Sequence, residues 1–581
     1  MTIKKKFKPN KYQKAIFDFL VREKGNLVVE AIAGAGKTSV LLESLNIIPS
    51  DQKVLFLAFT NSVADTLKER TTGFKNVNVM TTYGLGRCII SENLGKKPID
   101  EYKYINEFRS NTLKYTNNSR YSLKNKWKTY NKNITELIKH ARLNLANTIG
   151  EIKLVAKNFE IITVADEVTV VKRLIEWGKS HIAECDFVDM IWYPLILDLK
   201  SDYFSKFNYV FVDEAQDLSK AQRELILTCS NPDTRFVFVG DSKQAIYGFN
   251  SADPKSFDEL KKIPNTTVLP LSICYRCPKS VVSFVKHIVP QIEACDSAIE
   301  GNIYFNKSLS DINDGDTVLC RNNAPLMQIY SSFLRMGKKA YIAGKELEIS
   351  LKDLISSNFH NAINMNLNEV GLMSELYLHY FKKRKELMEI TGWEANLCDD
   401  LSELTSLLDK IETIKILSEG INNTSGLLQR IDRVFSNKDV DGICLSTVHK
   451  AKGAEYNNVF IAKKELFDPS KKKLDWEKIQ EENLEYVAYT RAKRTLSFLK
   501  KEETQNSYSL PLEEIEKRVM TLYNPVKPNI SGRILTKHDT ISGITTPGLN
   551  MILNDDFSHL HVTEKPLNQL FGKKNKKQRK I

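Results

Sequence analysis

The 581-residue chain contains no run of about 18 apolar residues, which excludes a membrane-spanning helix. Behind its basic start, MTIKKKFKPNKYQ, it lacks the apolar stretch of a secretory signal, so neither export nor a membrane partner is expected. Cysteine is sparse. Nine residues, odd in number and scattered, argue against a disulfide framework and for a reducing compartment. One pair, Cys274 and Cys277, has CxxC spacing, but no second pair or set of histidines lies nearby. A zinc site would lack ligands, and the two read as ordinary thiols. No repeat at a solenoid period is present.

What is there is an ordinary globular composition, 42% hydrophobic and 27% charged, in a chain too long for one core. At roughly 150 residues per domain, about three or four domains are expected. The net charge of +13 favours a polyanionic partner, with part of the excess in the terminal run GKKNKKQRKI, which reads as disordered. Apolar strand-like runs recur at Leu27–Glu30, Val54–Phe59, Val77–Met80, Tyr209–Val212, Phe236–Val239, Ile443–Thr447 and Val459–Ala462. Each is followed by loop chemistry and a helical pattern. This alternation predicts an α/β protein with parallel sheets covered on both faces, in two groups at roughly 26–270 and 270–505. Residues 90–184 and 350–436 read as helical insertions into those groups. The first interleaves basic and aromatic residues, as in EYKYINEFRSNTLKY, which suits either a strand-contacting lobe or a solvated helical face.

Two stretches carry chemistry. AIAGAGKT (31–38) follows an apolar run and precedes a helical pattern, as a phosphate-binding loop does. Its small residues let backbone N–H groups turn toward phosphate oxygens; Lys37 would reach the β/γ phosphates and the Thr38 hydroxyl would ligate Mg²⁺. YVFVDEAQD (209–217) delivers two adjacent carboxylates from a strand end. Asp213 would hold the magnesium through water, and Glu214 would take a proton from the attacking water.

At these residues the chain resembles the superfamily 1A helicases of the UvrD/Rep/PcrA type. DEAQD matches the family's DExQD box. In order along the chain, LAFTNSVADTLKER (57–70), TTYGLG (81–86), CDFVDM (185–190), VGDSKQAIYGFNSAD (239–253), LSICYRCP (271–278), STVHKAKGAEY (446–456) and EENLEYVAYTRAK (481–493) resemble its further motifs. The likeness covers about residues 10–500. It implies two RecA-like parallel-sheet P-loop domains, each with a mostly helical insertion. The first takes residues 1–89 and 185–270 with insertion 90–184; the second takes 271–349 and 437–505 with a small insertion, 350–436; residues 506–581 form a partly disordered tail with a basic end.

The resemblance further implies ATP with Mg²⁺ in the cleft between the two domains. Ala33, Gly34, Ala35, Gly36, Lys37, Thr38 and Ser39 would cradle the phosphates, Gln13 would read adenine, and Tyr275 would stack on it. Arg276 would contact the γ-phosphate, Arg491 would be the arginine finger, Gln244 the γ-phosphate sensor, and Gly453 and Glu455 would lie at the nucleotide, Glu455 on the ribose. Phe59, Thr60, Asn61, Tyr83, Tyr247, Phe249, Asn250, Thr447 and His449 would face single-stranded DNA, where base stacking tolerates any sequence. Three departures stand out: Ala31 in place of a glycine, Tyr83 in place of a histidine, and Asn250 in place of an arginine.

The implied activity is an ATP-dependent DNA helicase and single-strand translocase acting at single-strand/duplex junctions in replication, repair or recombination. Polarity is expected to be 3′→5′, since GDSKQAIY is not the GDxxQLPP of the opposite branch. Alternatives are a translocase that strips proteins and unwinds weakly, or an ATP-binding scaffold subunit. No nuclease-like acidic and cysteine cluster follows residue 505. In the tail, PLNQLF with Leu567, Leu570 and Phe571 would suit docking to a sliding clamp or single-strand-binding protein, or simply precede a solubilising end. The expected location is cytoplasmic in a bacterial or viral setting, nuclear in a eukaryotic host.

Overall fold

The structure, a computed structural model, describes residues 7–116, 127–163, 166–228, 230–246, 256–358, 369–391, 394–399, 401–421, 423–436, 442–471, 475–501 and 511–523. Two six-stranded sheets organise it, and every strand pair in both is parallel. The first sheet is built from β1 (Asn26–Ala31), β2 (Val54–Ala58), β3 (Val77–Thr81), β4 (Tyr209–Val212), β5 (Arg235–Gly240) and β6 (Thr266–Leu271), in the order β3-β2-β4-β5-β1-β6. A two-residue pair, β7 (Ile273–Cys274) and β8 (Glu293–Ala294), follows it. The second sheet contains β9 (Asn302–Lys307), β10 (Thr317–Cys320), β11 (Ala340–Ile342), β12 (Ile443–Thr447), β13 (Tyr456–Ile461) and β14 (Ala492–Leu499), in the order β11-β12-β10-β13-β14-β9.

Most of the central strands are the apolar runs read from the sequence; β10, four residues buried between β12 and β13, is central but is not among those runs. β2 and β4 are buried along their whole length, as strands covered on both faces must be. The strands the sequence pattern missed lie largely at the rims. β6 carries Pro270, whose missing N–H is tolerated at an edge, and β9 leaves Tyr304 and Phe305 exposed.

Between β3 and β4 the chain is helical, with helices that include Lys103–Ser110, Trp127–Leu143, Ile149–Asn158 and Glu167–Ser180. Tyr104, Phe108, Tyr115 and Tyr130 of this stretch are buried in its own hydrophobic core, so these four aromatics serve packing, while Tyr102 is exposed. Beneath them four charges are sealed from solvent. Arg142 bonds Asp186 at 2.5 Å and Asp189 at 2.7 Å, and Lys103 bonds Asp189 at 3.0 Å. The two carboxylates are those of CDFVDM, and Asp186 also caps the helix Phe187–Ile196.

A second helical group, including Lys345–Asn358, Glu369–Thr391 and Ser402–Ser418, lies between β11 and β12. The stretch read as tail contributes a helix, Leu512–Tyr523, whose Ile515 and Val519 are buried in that group's core and whose Glu516 pairs with Arg384. Its amphipathic pattern lies beyond the last strand and was not legible as part of a core. Leu567, Leu570, Phe571 and the basic end lie outside the described residues.

Candidate nucleotide and nucleic-acid site

The strands of each sheet run the same way, so their C-terminal ends collect the loops on one edge. β1 ends in the Gly-rich loop. Gly34 and Gly36 have φ of +70° and +82°, a region that glycine enters without strain, and Gly36 caps the helix Lys37–Ser44. A Cβ on Gly34 would stand 2.6 Å from Arg276 Cβ and 2.9 Å from Cys274 Sγ, so the loop is pressed against the segment after β7. Gly34→Ala is therefore expected to lower the melting temperature, a left-handed non-glycine residue alone costing roughly 1–3 kcal/mol; a thermal melt checks it. Ala33 and Ala35 are buried, Lys37 and Thr38 half-buried, and Ser39 exposed. The Ala33 N–H donates to the Tyr486 hydroxyl at 2.9 Å, from a helix (Asp475–Tyr489) that precedes β14 of the other sheet.

β4 delivers the two acids. The Thr38 hydroxyl donates to Asp213 Oδ2 at 2.6 Å, and Lys37 Nζ lies 3.7 Å from Glu214 Oε2. Glu214 has φ of +54°, a strained value for a non-glycine residue that turns its side chain off the strand line. Burial, then the neighbouring Glu214 carboxylate, pushes the Asp213 carboxyl up to about 6. Burial also acts to raise Glu214, but the Lys37 and Lys452 ammoniums outweigh it and hold that carboxyl down at about 2. Gln216 donates to Glu214 at 2.6 Å and accepts the Asp241 N–H at 3.0 Å, linking the ends of β4 and β5.

The second sheet reaches the same place. Arg491 is fully buried, donates to the Val487 and Ala454 carbonyls at 2.9 and 3.1 Å, and lies 3.5 Å from Gln244 Oε1. Burial and the nearby Arg276 lower its pKa to about 10, so it remains a cation at neutral pH, and Glu214 is among the charges acting on it. Gln244 donates to Asp241 Oδ2 at 2.7 Å. Lys452 bridges the seam to both Asp217 oxygens, at 2.7 and 3.0 Å, and to the Gln244 carbonyl at 2.7 Å. Asn483 adds bonds to the Ser242 and Ala245 carbonyls.

At the outer side, Tyr275 donates its N–H to the Gly34 carbonyl at 2.9 Å, is 49% exposed, and accepts the Asn10 amide at 2.6 Å. Gln13 is buried and accepts the Asn10 N–H at 3.0 Å, closing a capping box on the helix Lys11–Arg22. Arg276 is paired with Glu455 at 2.7 Å, and Gly453 takes φ of +86° in the same loop.

The residues expected to face DNA also stand at strand ends. Phe59, Thr60 and Asn61 follow β2, the first half-buried and the others exposed, and Thr60 caps the helix Asn61–Thr71 by accepting the Val63 N–H. Tyr83 follows β3 and is half-buried; burial, then the Asp186 and Glu101 carboxylates, raises its pKa. Thr447 ends β12, and His449 follows it. Burial, with Arg321 and Lys452 close by, pushes the His449 imidazole down to about 3, so it is neutral and offers hydrogen bonds rather than charge. Tyr247, Phe249 and Asn250 lie outside the described residues.

Residues 10–265 match the family model of the UvrD/REP helicase N-terminal domain. The chain is UvrD/Rep/PcrA-like. It is 24% identical over 522 residues to the F-box DNA helicase protein 1 of Schizosaccharomyces pombe, covering 83% of this chain and 56% of the relative. It is 27% identical over 320 residues to the ATP-dependent DNA helicase Rep of Buchnera aphidicola, covering 51% and 46%. It is 30% identical over 292 residues to the putative ATP-dependent DNA helicase YjcD of Bacillus subtilis, covering 46% and 36%. The chain thus spans about half the length, or less, of these curated relatives.

In this UvrD/Rep-like chain the seam depends on residues that motif reading did not single out. Asp217 and Lys452 stand inside quoted motifs, where an acid in DEAQD and a lysine in HKAKG are the only signals of a pairing 235 positions apart. Asn483 and Tyr486 sit on an ordinary amphipathic helix, and nothing local marks the loops they touch.

Proposed function

We propose that the chain is an ATP-dependent DNA helicase and 3′→5′ single-strand translocase, its two parallel sheets forming a RecA-like pair that closes on ATP. The observation that carries this reading is that Lys37 from one sheet and Arg491 from the other both act on Glu214 at a shared seam.

The site fits its groups. Gly34 and Gly36 hold the loop in left-handed turns without side chains, and the hydroxyl of Thr38 beside the carboxylate of Asp213 offers the hard oxygen donors that suit Mg²⁺. When bound there, Mg²⁺ would neutralise phosphate charge. Phosphoryl transfer asks the protein mainly for placement and charge neutralisation. Phosphates would compete with Glu214 for Lys37; losing that ammonium makes Glu214 a stronger base toward water. Gln244 and Arg491, already neighbours, would meet the γ-phosphate side, and its loss would remove their shared anchor. Closing and opening of the seam then moves one strand-end platform, with Phe59 and Tyr83, relative to the other, with Thr447 and His449. Opening one base-pair step costs ~1.4 kcal/mol on average, within reach of a hydrolysis cycle.

The deciding assay compares duplexes carrying a 3′ or a 5′ single-stranded tail. ATP-dependent separation of the 3′-tailed substrate is expected, and preference for the 5′ tail would reverse the polarity. A tailed strand that loses a bound protein while duplexes stay closed would indicate a stripping translocase; ATPase indifferent to single strands would indicate a scaffold.

The pH dependence follows from Asp213, whose carboxyl is neutral below about 6 and anionic above it. A neutral acid ligates Mg²⁺ poorly, so turnover is expected to fall as pH drops through that value and to recover in part at higher Mg²⁺. Mg²⁺ titrations of ATPase at several pH values check this.

A further inference from the structure

We infer that Cys274 and Cys277 form a peroxide-sensitive thiol pair, and that their oxidation to a disulfide weakens nucleotide binding at the adjacent Gly-rich loop. The disulfide itself stands on thiol geometry; its effect on nucleotide rests on the ATP site proposed above.

Cys274 ends β7, and Cys277 stands just before Pro278, which caps the helix Lys279–Val285. The Cys277 N–H donates to Cys274 Sγ at 3.3 Å, so the backbone already folds the second cysteine back over the first. The Cys277 thiol reaches the Thr490 carbonyl at 3.5 Å, and Arg276 Nη1 reaches the same carbonyl at 3.4 Å. Thr490 directly precedes Arg491. On the other side, Cys274 Sγ is the atom that a Cβ on Gly34 would meet at 2.9 Å. The pair therefore touches the phosphate loop, carries Tyr275 and Arg276 between its two members, and bonds the residue beside the buried arginine.

The chemistry is asymmetric. The Cys277 thiol, then the Cys277 and Arg276 N–H groups against the opposing effect of burial, lowers Cys274 to about 7, so thiolate is populated at neutral pH. Cys277 is pushed well up and keeps its proton. With a peroxide as oxidant, the Cys274 sulfur attacks one oxygen; an S–O bond forms, the O–O bond breaks, and the departing hydroxide takes up a proton. The Cys277 sulfur then gives up its proton and attacks the sulfenic sulfur; S–S forms, S–O breaks, and a second water leaves. Two thiols lose two electrons and one hydrogen peroxide becomes two waters. Closing the bridge removes the one Cys277 thiol proton, which Cys274 Sγ and the Thr490 carbonyl compete for, and tightens the turn that carries Tyr275 and Arg276. Both cysteines are buried, at 0% and 2% exposure, so the oxidant must enter when the seam opens, and nucleotide that holds the seam shut should slow the reaction.

The test uses the reduced full chain, treated with hydrogen peroxide, quenched by alkylation and mapped by peptide mass spectrometry, with affinity for a fluorescent ATP analogue read in parallel. The exposed Cys88 serves as the dose control. A Cys274–Cys277 bridge is expected, with affinity falling about tenfold, the scale of one displaced charge-assisted contact, and recovering with dithiothreitol. Cys277→Ala, its fold verified by circular dichroism, should keep its affinity through brief peroxide exposure, and Cys274→Ser should do the same. Oxidation of Cys88 while the pair stays reduced would overturn the inference. So would a bridge to Cys295, an intact affinity in the bridged protein, or an equal loss in both variants. Mapping reads the bridge without nucleotide. A reduced protein that binds no nucleotide would therefore defeat the proposed function, leaving the thiol chemistry to be judged by the bridge alone.

Discussion

Arg491→Ala is expected to lower ATP turnover by about three orders of magnitude or more, the scale associated with an arginine that meets transition-state charge, while ATP affinity changes far less. The reason lies in where the side chain is held. Its guanidinium is sealed in the seam, fixed by the Val487 and Ala454 carbonyls, and placed beside Gln244. A group with such fixed geometry spends little on reorganisation during the reaction. Steady-state kinetics with a separate nucleotide-binding measurement distinguishes the outcomes. Loss of affinity equal to the loss of turnover would show that Arg491 binds the ground state and would remove it from the catalytic step. Arg491→Lys should recover little, because a single ammonium cannot keep both carbonyl bonds and the Gln244 contact.

Glu214→Gln is expected to reduce turnover by roughly 10²–10⁴-fold, the usual worth of a positioned general base, with nucleotide and single-stranded DNA still bound. The amide is nearly isosteric and can still meet Gln216, but it cannot accept a proton. It also frees Lys37 from its carboxylate partner, so ATP affinity should hold or rise. Rapid turnover by this variant would dismiss Glu214 as the base. Its neighbour offers a contrast: Asp213→Asn should act through the Mg²⁺ requirement, since that carboxylate faces Thr38 rather than Lys37.

Both predictions concern residues visible in the sequence because their motifs are local. AIAGAGKT and YVFVDEAQD each follow a buried apolar strand, and strand, turn and chemistry lie within a few residues of one another. β1, β2, β4, β5, β12 and β13 were legible for a related reason, each holding at least three consecutive buried residues, most of them apolar, because those segments are covered on both faces; β10 is covered in the same way but is only four residues long and was missed. β6 and β9 were not, because an edge tolerates Pro270 and exposes Tyr304 and Phe305. β14 was hidden by Lys493 and Arg494 at its exposed start. The seam itself was legible only as a family expectation. The contacts of Tyr486 with Ala33 and of Asn483 with Ser242 join residues 453 and 241 positions apart, and no periodicity encodes them.

Lys103, Arg142, Asp186 and Asp189 balance two cations against two anions out of reach of solvent. Removing any one strands a charge in a medium that cannot screen it, at a cost of about 3–5 kcal/mol. Single-step drift at these positions is thereby closed off. The lobe can change its electrostatic staple only by compensated double replacement, or by exchanging all four for a greasy plug of equal volume.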